Sequence, residues 1–329
     1  MKTCLFLVLA SASMLASAAP VDAFAKAQRL VDIGGRKLNL VCSGTGAPTV
    51  VFEAQSGSAG RVWWDVQPKV AARTRACAYD RAGFGFSDAA PRQADLASSV
   101  DDLHALLRAA GEKGPYVMVG NSLGGGIALL YRWRYPDEVS GLVLIEPMHE
   151  EDSARANAAS QGKMAAMEAQ NDAMMVACTD QGAKGFVAGT ELYDACIGGV
   201  MPSFPKALGS VDLQQRRTPA YWKAMRAEQQ ALPADFAQLR AARTSLGNLP
   251  LIVLARGVSP YAVPGQPQSD LNKATELANF SLQAETAALS KQGNVVVVAG
   301  AGHVVQETHP QAVVAAVDDV VERVRQGAK

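Results

Sequence analysis

Gly120-Asn121-Ser122-Leu123-Gly124-Gly125 is the stretch on which the reading of this chain turns. It follows a short apolar run, Tyr116 to Gly120, and opens a helical stretch, Leu123 to Tyr135. A serine with glycines two residues away on each side lets the backbone turn sharply from strand to helix. That turn lifts Oγ above the sheet and leaves room around it. The helix beyond points its partly positive N-terminal amides toward any anion formed there. A serine that only caps a helix is the competing reading. The position of the motif, after about five strand candidates and before a late histidine, favours a nucleophile.

Outward from that turn, short β-branched runs alternate with amphipathic helices. The candidate strands are Arg29 to Ile33, Lys37 to Cys42, Thr49 to Glu53, Ala76 to Tyr79, Tyr116 to Gly120, Gly141 to Ile145, Leu249 to Ala255 and Asn294 to Ala299. The run Val295 to Val298 is expected to be a strand buried on both faces. Helices are expected over Leu96 to Ala110 and Pro310 to Arg325. In the second, Val313, Val314, Val317, Val320, Val321 and Val324 share one face. Gly34-Gly35 joins the first two strands as a hairpin, and the alternation that follows argues for a mostly parallel α/β sheet. Residues 148–247 break the rhythm. They are rich in Ala, Met and Gln, lack a strand pattern, and read as a helical cap. Met164, Met167, Met174 and Met175 recur at helical spacing there. Core packing is the expectation for them, and a pliable apolar pocket is the alternative. The resulting organisation is a first core segment at 19–147, the cap at 148–247 and a second core segment at 248–329.

A serine hydroxyl is a weak nucleophile until a base takes its proton, and the chain has four histidines. His104 falls within a helix, His309 precedes Pro310, and His149 has acidic, solvent-like neighbours. His303 follows the last strand in Gly300-Ala301-Gly302-His303, near the carboxyl edge of the sheet where the serine turn also emerges. It is the expected general base. The imidazole needs a carboxylate to set its tautomer and support its charged form. Glu146, at the tip of the sixth strand, is the first candidate because a rigid strand end holds it. Asp270, across a loop rich in Gly and Pro after the seventh strand, is the alternative acid. Asp80 is read as structural.

Bulk composition narrows the class. Lys+Arg and Asp+Glu are 31 each, so no basic surplus exists to neutralise phosphates, and nucleic acid is excluded as an expected partner. With 49% hydrophobic residues the chain can bury a large core. Lys2, the apolar run to Leu15 and Ala16-Ser17-Ala18 have the layout of a secretory signal peptide over residues 1–18. The mature protein is therefore expected to be secreted or periplasmic, and no segment of it is long and apolar enough to span a membrane. Cys4 leaves with the signal. Cys42, Cys77, Cys178 and Cys196 remain, an even number that in an oxidising compartment suggests two disulfides. Of three possible pairings, Cys42–Cys77 with Cys178–Cys196 is preferred. Their spacings do not suit zinc.

Four pieces together resemble the α/β-hydrolase superfamily over nearly the whole mature chain. They are Tyr79-Asp80-Arg81-Ala82-Gly83-Phe84-Gly85-Phe86-Ser87-Asp88, the Ser122 turn, Gly141-Leu142-Val143-Leu144-Ile145-Glu146-Pro147, and the glycine-rich run to His303. The resemblance implies an eight-stranded sheet ordered 1-2-4-3-5-6-7-8, flanked by helices, with its cap after the sixth strand. Strands two and four would then be neighbours, which favours Cys42–Cys77. In the family the acid usually follows the seventh strand. A subset that includes haloalkane dehalogenases has it after the sixth, as at Glu146, but uses an aspartate nucleophile, so their chemistry is disfavoured here. The oxyanion hole would take one amide from Leu123 and one from the loop after the third strand, assigned to Ser56. Gln55 stands there where glycine is common.

The resulting expectation is a Ser122–His303–Glu146 hydrolase forming an acyl-enzyme on small or medium hydrophobic esters, with no metal and no cofactor. The same residues could instead cleave a carbon–carbon, amide or lactone bond. A secreted binding protein on a degenerate scaffold is the non-enzymatic alternative.

Overall fold

The β-branched runs pair into one eight-stranded sheet in the order β1-β2-β4-β3-β5-β6-β7-β8. The computed structural model describes residues 20–91 and 94–327, so the expected signal peptide at 1–18 lies outside the described residues. The strands are β1 (Arg29–Asp32), β2 (Lys37–Ser43), β3 (Thr49–Glu53), β4 (Ala76–Tyr79), β5 (Tyr116–Asn121), β6 (Val139–Ile145), β7 (Leu251–Arg256) and β8 (Gly293–Val298). β1 and β2 form a hairpin across Gly34 and Gly35, whose φ of 104° and 92° glycine adopts without a Cβ penalty. β1–β2 and β2–β4 are antiparallel, and the remaining five pairs are parallel.

Helices cover both faces. Pro20–Phe24 (α1), Gln67–Ala71 (α2), Leu96–Ala110 (α3) and Leu123–Arg134 (α4) precede β6. Between β6 and β7 come Asp152–Ala159 (α5), Lys163–Lys184 (α6), Glu191–Cys196 (α7), Lys206–Arg216 (α8) and Pro219–Ala242 (α9). Asp270–Ala287 (α10), Val305–Thr308 (α11) and Pro310–Gly327 (α12) follow β7. Helix α3 starts where Asp95 accepts a hydrogen bond from the Ser98 amide and stops at Gly111 in the left-handed region. The valine face of α12 lies against the sheet, with Val313, Val317, Val320 and Val321 buried. Each contributes on the order of 2 kcal/mol by leaving water. Gly141 leaves room for α12, since a Cβ there would meet Val320 at 2.5 Å.

Two expectations require correction. The valine run was expected to be covered on both faces, yet Val296 and Val297 are 45% and 51% exposed. Such a run specifies a strand but not its place. β8 is the sheet edge, and α12 centres on β6, with β5 and β7 to either side. The methionines of α6 meet the core expectation only in part: Met175, partly buried, packs against the small core of Cys178, Cys196, Ile197 and Trp222. Met167 and Met174 are exposed because α6 buries only Cys178 and Gly182, near its C-terminal end.

The disulfides are Cys42–Cys77, between facing residues of β2 and β4, and Cys178–Cys196, which ties α6 to α7. Around the second bridge, Ile197 and Trp222 complete a small core of the helical insertion. Its removal in a Cys178→Ala/Cys196→Ala variant is expected to cost about 3 kcal/mol, as for a bridge closing a loop of this length. Urea denaturation of the variant against oxidised wild type checks this, and equal midpoints would refute it.

Candidate functional site

The turn from β5 into α4 is sterically exacting. Ser122 has φ 55° and ψ −119°, a conformation costing a non-glycine residue about 1–3 kcal/mol. Its amide donates to the Ile145 carbonyl at 3.0 Å, and its own carbonyl accepts from Gly125 and Met148, both at 2.9 Å. A Cβ at Gly120 would lie 2.2 Å from the Gly124 carbonyl oxygen. One at Gly124 would lie 2.5 Å from the Glu53 oxygen, and one at Gly125 2.6 Å from the Pro147 side chain. All three glycines are therefore required by close backbone approach.

Ser122, Glu146 and His303 line one cavity of about 270 Å³. His303 Nδ1 lies 3.4 Å from Glu146 Oε2. The His303 carbonyl accepts from Asn121 Nδ2 at 3.1 Å, which ties the histidine loop to the residue before the serine. Glu146 is buried and also has a positive φ, 43°. Asp270 is not brought to the site. It opens α10, is fully exposed and pairs with Lys273. His104 stacks on Tyr135. The surroundings of His149 are not solvent-like as expected: His149 is itself buried, with Nε2 3.1 Å from Arg243. Its acidic neighbour Glu150 is itself paired with Arg243, so these charges face one another and not water.

Several functional neighbours escaped the sequence reading. Arg256, at the end of β7, donates from Nη1 to Glu146 Oε2 at 2.6 Å and from its backbone amide to Oε1 at 2.9 Å. Its other face grips Glu276. Burial would push the Glu146 carboxyl up, but the His303 hydrogen bond and the Arg256 guanidinium outweigh it and hold it below the usual range. A charge closing the apolar run Leu251 to Ala255 was the available signal. Asp152, at the start of α5, also lines the cavity, and burial pushes its carboxyl up to about 7. Beneath the site, Gln306 Nε2 donates to Asn121 Oδ1 and to Gln55 Oε1, so the unexpected Gln55 side chain is anchored there.

Leu123 begins α4, and Ser56 lies in the loop after β3, which touches the serine turn through Gly124. Neither residue forms part of the cavity wall. The Ser56 hydroxyl donates to Glu228 Oε2 at 2.7 Å. Asp80 accepts from Asn39 Nδ2, Gly60 N and Phe86 N, and so organises the loop after β4.

The profile of the Alpha/beta hydrolase family matches residues 40–317. A 121-residue stretch, 36% of the chain, is 37% identical to 2-hydroxymuconate semialdehyde hydrolase of Pseudomonas sp. (strain CF600), covering 42% of that protein. In two further curated relatives the aligned stretches likewise cover only 37% and 41% of their length. The crystal structure of DBJA superposes with a TM-score of 0.67 at 18% identity, covering 91% of this chain and 99% of that one. Epoxide hydrolase CorEH gives 0.62 at 15%, covering 90% and 98%. At such identities the likeness is one of fold.

Asp152 carries a pH prediction. Its carboxyl is raised in the folded chain, so between about pH 4 and 7 the native state binds more protons than the unfolded state, and stability falls as pH rises. Asp152→Asn is expected to flatten that decline and to gain on wild type at pH 8. Thermal midpoints across pH 4–8 test it, and parallel curves would sink it.

Proposed function

The chain belongs to the alpha/beta hydrolase family, and from that premise we propose that it is a serine hydrolase working by acyl transfer to water. Ser122 Oγ attacks the substrate carbonyl while His303 Nε2 takes its proton. Glu146 accepts from Nδ1–H and stabilises the imidazolium. The oxyanion is assigned to the amides of Leu123 and Ser56, which flank the serine turn without lining the cavity itself. The tetrahedral intermediate collapses, and His303 returns its proton to the leaving alcohol. Water, deprotonated by His303, then attacks the acyl-enzyme and releases the acid and Ser122. One observation carries this reading: a serine held at positive φ opens into the same cavity as a histidine whose Nδ1 faces a buried carboxylate. Arg256 supports it by keeping Glu146 ionised, although it also competes with the imidazole for the same oxygen.

Small or medium carboxylic esters fit a space of about 270 Å³. Met148, Met164 and Leu282 offer apolar contact, while Asp152, Asn279 and Gln283 offer polar contact, so hydrophobicity is not the only selector. A second reading has the same residues act on a carbon–carbon, amide or lactone bond. The identity to a protein named 2-hydroxymuconate semialdehyde hydrolase favours it over a binding protein. Two disulfides and the N-terminal pattern support export of the mature chain.

Ser122→Ala and His303→Ala are each expected to lower kcat on activated esters by roughly 10³-fold or more. A fluorophosphonate should add once, at Ser122, and the adduct should vanish in His303→Ala by mass spectrometry. Glu146→Gln should reduce kcat strongly while Asp270→Asn leaves it unchanged. Wild-type turnover in Ser122→Ala would overturn the mechanism.

A further inference from the structure

The loop after β3 is shaped by a cluster of buried charges that the reaction scheme above does not use. Arg81, after β4, donates from Nη1 to the Ala54 carbonyl at 2.6 Å and from Nη2 to the Gln55 carbonyl at 2.8 Å. In a trans peptide the N–H points opposite to the carbonyl of the same unit. Fixing these two carbonyls therefore fixes the directions of the Gln55 and Ser56 amides. The guanidinium is held in turn by Glu53 on one side and Glu228 on the other. Glu228 belongs to α9, in the helical insertion, far away in sequence.

Glu228 uses both oxygens. Oε1 accepts from Arg81 Nε and Nη2 at 3.0 and 2.8 Å. Oε2 accepts from the Ser56 hydroxyl at 2.7 Å and the Gly57 amide at 2.9 Å. The helix also presses on the turn directly, since a Cβ on Gly57, at φ 72°, would lie 2.2 Å from Met225 Sδ. Gly83, in the loop after β4, also lies close to α9, where a Cβ would meet the Ala224 Cβ at 2.8 Å. Arg81, Glu53 and Glu228 are all buried. A single carboxylate, Glu53, would balance the guanidinium. The second is placed where it accepts from the loop.

We propose that Glu228 is a positioning residue for the oxyanion hole, a cap side chain that sets the amides of the loop after β3 through Arg81, Ser56 and Gly57. The proposal rests on the serine-hydrolase reading. The insertion then contributes to transition-state binding as well as roofing the cavity, and the strongest effect of losing Glu228 falls on turnover.

Glu228→Gln tests it with little threat to folding, because Arg81 and Glu53 remain as one positive and one negative charge. The glutamine Oε1 can still face Arg81, but its amide group then meets the Gly57 N–H, donor against donor. With p-nitrophenyl esters, kcat is expected to fall tenfold or more while KM stays within twofold. Phosphonylation of Ser122 should slow in step, and the urea midpoint should stay near that of wild type. Hydrogen exchange at residues 55–58 should accelerate. Ser56→Ala, which removes one of the two bonds to Oε2, should give a smaller fall of the same kind. Wild-type kcat in Glu228→Gln, or unchanged exchange in the loop, would overturn the proposal. So would a loss of rate that tracks a loss of folded protein. Inactive Ser122→Ala beside a fully active Glu228→Gln refutes this proposal alone, whereas active Ser122→Ala refutes the serine reading beneath it.

Discussion

The turn at Ser122 constrains everything around it. A non-glycine residue at φ 55° stays there only if its surroundings leave no alternative. Here the Ile145 carbonyl holds its amide, and the amides of Gly125 and Met148 hold its carbonyl. The backbone of β3, the start of α4 and the exit of β6 all approach within a distance that no Cβ at Gly120, Gly124 or Gly125 could share. Parallel order is what makes this possible. β5 lies between β3 and β6, so the loops leaving all three strands emerge at one edge.

A second regularity concerns charge. Two arginines stand at strand exits, and each is divided between two carboxylates. Arg256 joins Glu146 of the core to Glu276 of α10, and Arg81 joins Glu53 of the core to Glu228 of α9. Removing the sole partner of a buried charge costs about 3–5 kcal/mol, whereas each of these arginines keeps a second carboxylate when one is replaced. Each arginine locks a loop of the site to a helix outside the sheet. Burial pushes the Glu53 carboxyl up even beside Arg81, whereas Glu146 is held down by His303 and Arg256. The difference matches their surroundings: one carboxylate lies sealed in the core, the other opens on the cavity.

Much of this was legible before any fold was known, because the signals are local. Gly-x-Ser-x-Gly is a steric statement about one turn, the valine spacing of α12 about one helix face, and Gly34-Gly35 about one hairpin. Glu146 and His303 were singled out by the strand ends they follow, and they do face each other. Other positions misled for the same reason. The Val295 to Val298 run has the texture of a central strand, yet local texture carries no information on which strand ends a sheet. The α6 methionines have helical spacing, yet spacing cannot say whether another element covers that face.

By itself the sequence determined the element order, the family resemblance, the strained serine and the candidate acid and base, all of which follow from short-range sterics and strand-end position. Only the tertiary structure decided that Asp270 stands in solvent, that Arg256 shares Glu146 with His303, and that Glu228 reaches the loop after β3. The contacts of Glu146 and Glu228 join residues more than a hundred positions apart. Their existence depends on where α9 packs on α3 and α4 and where α10 packs on β7 and β8, which no local pattern encodes.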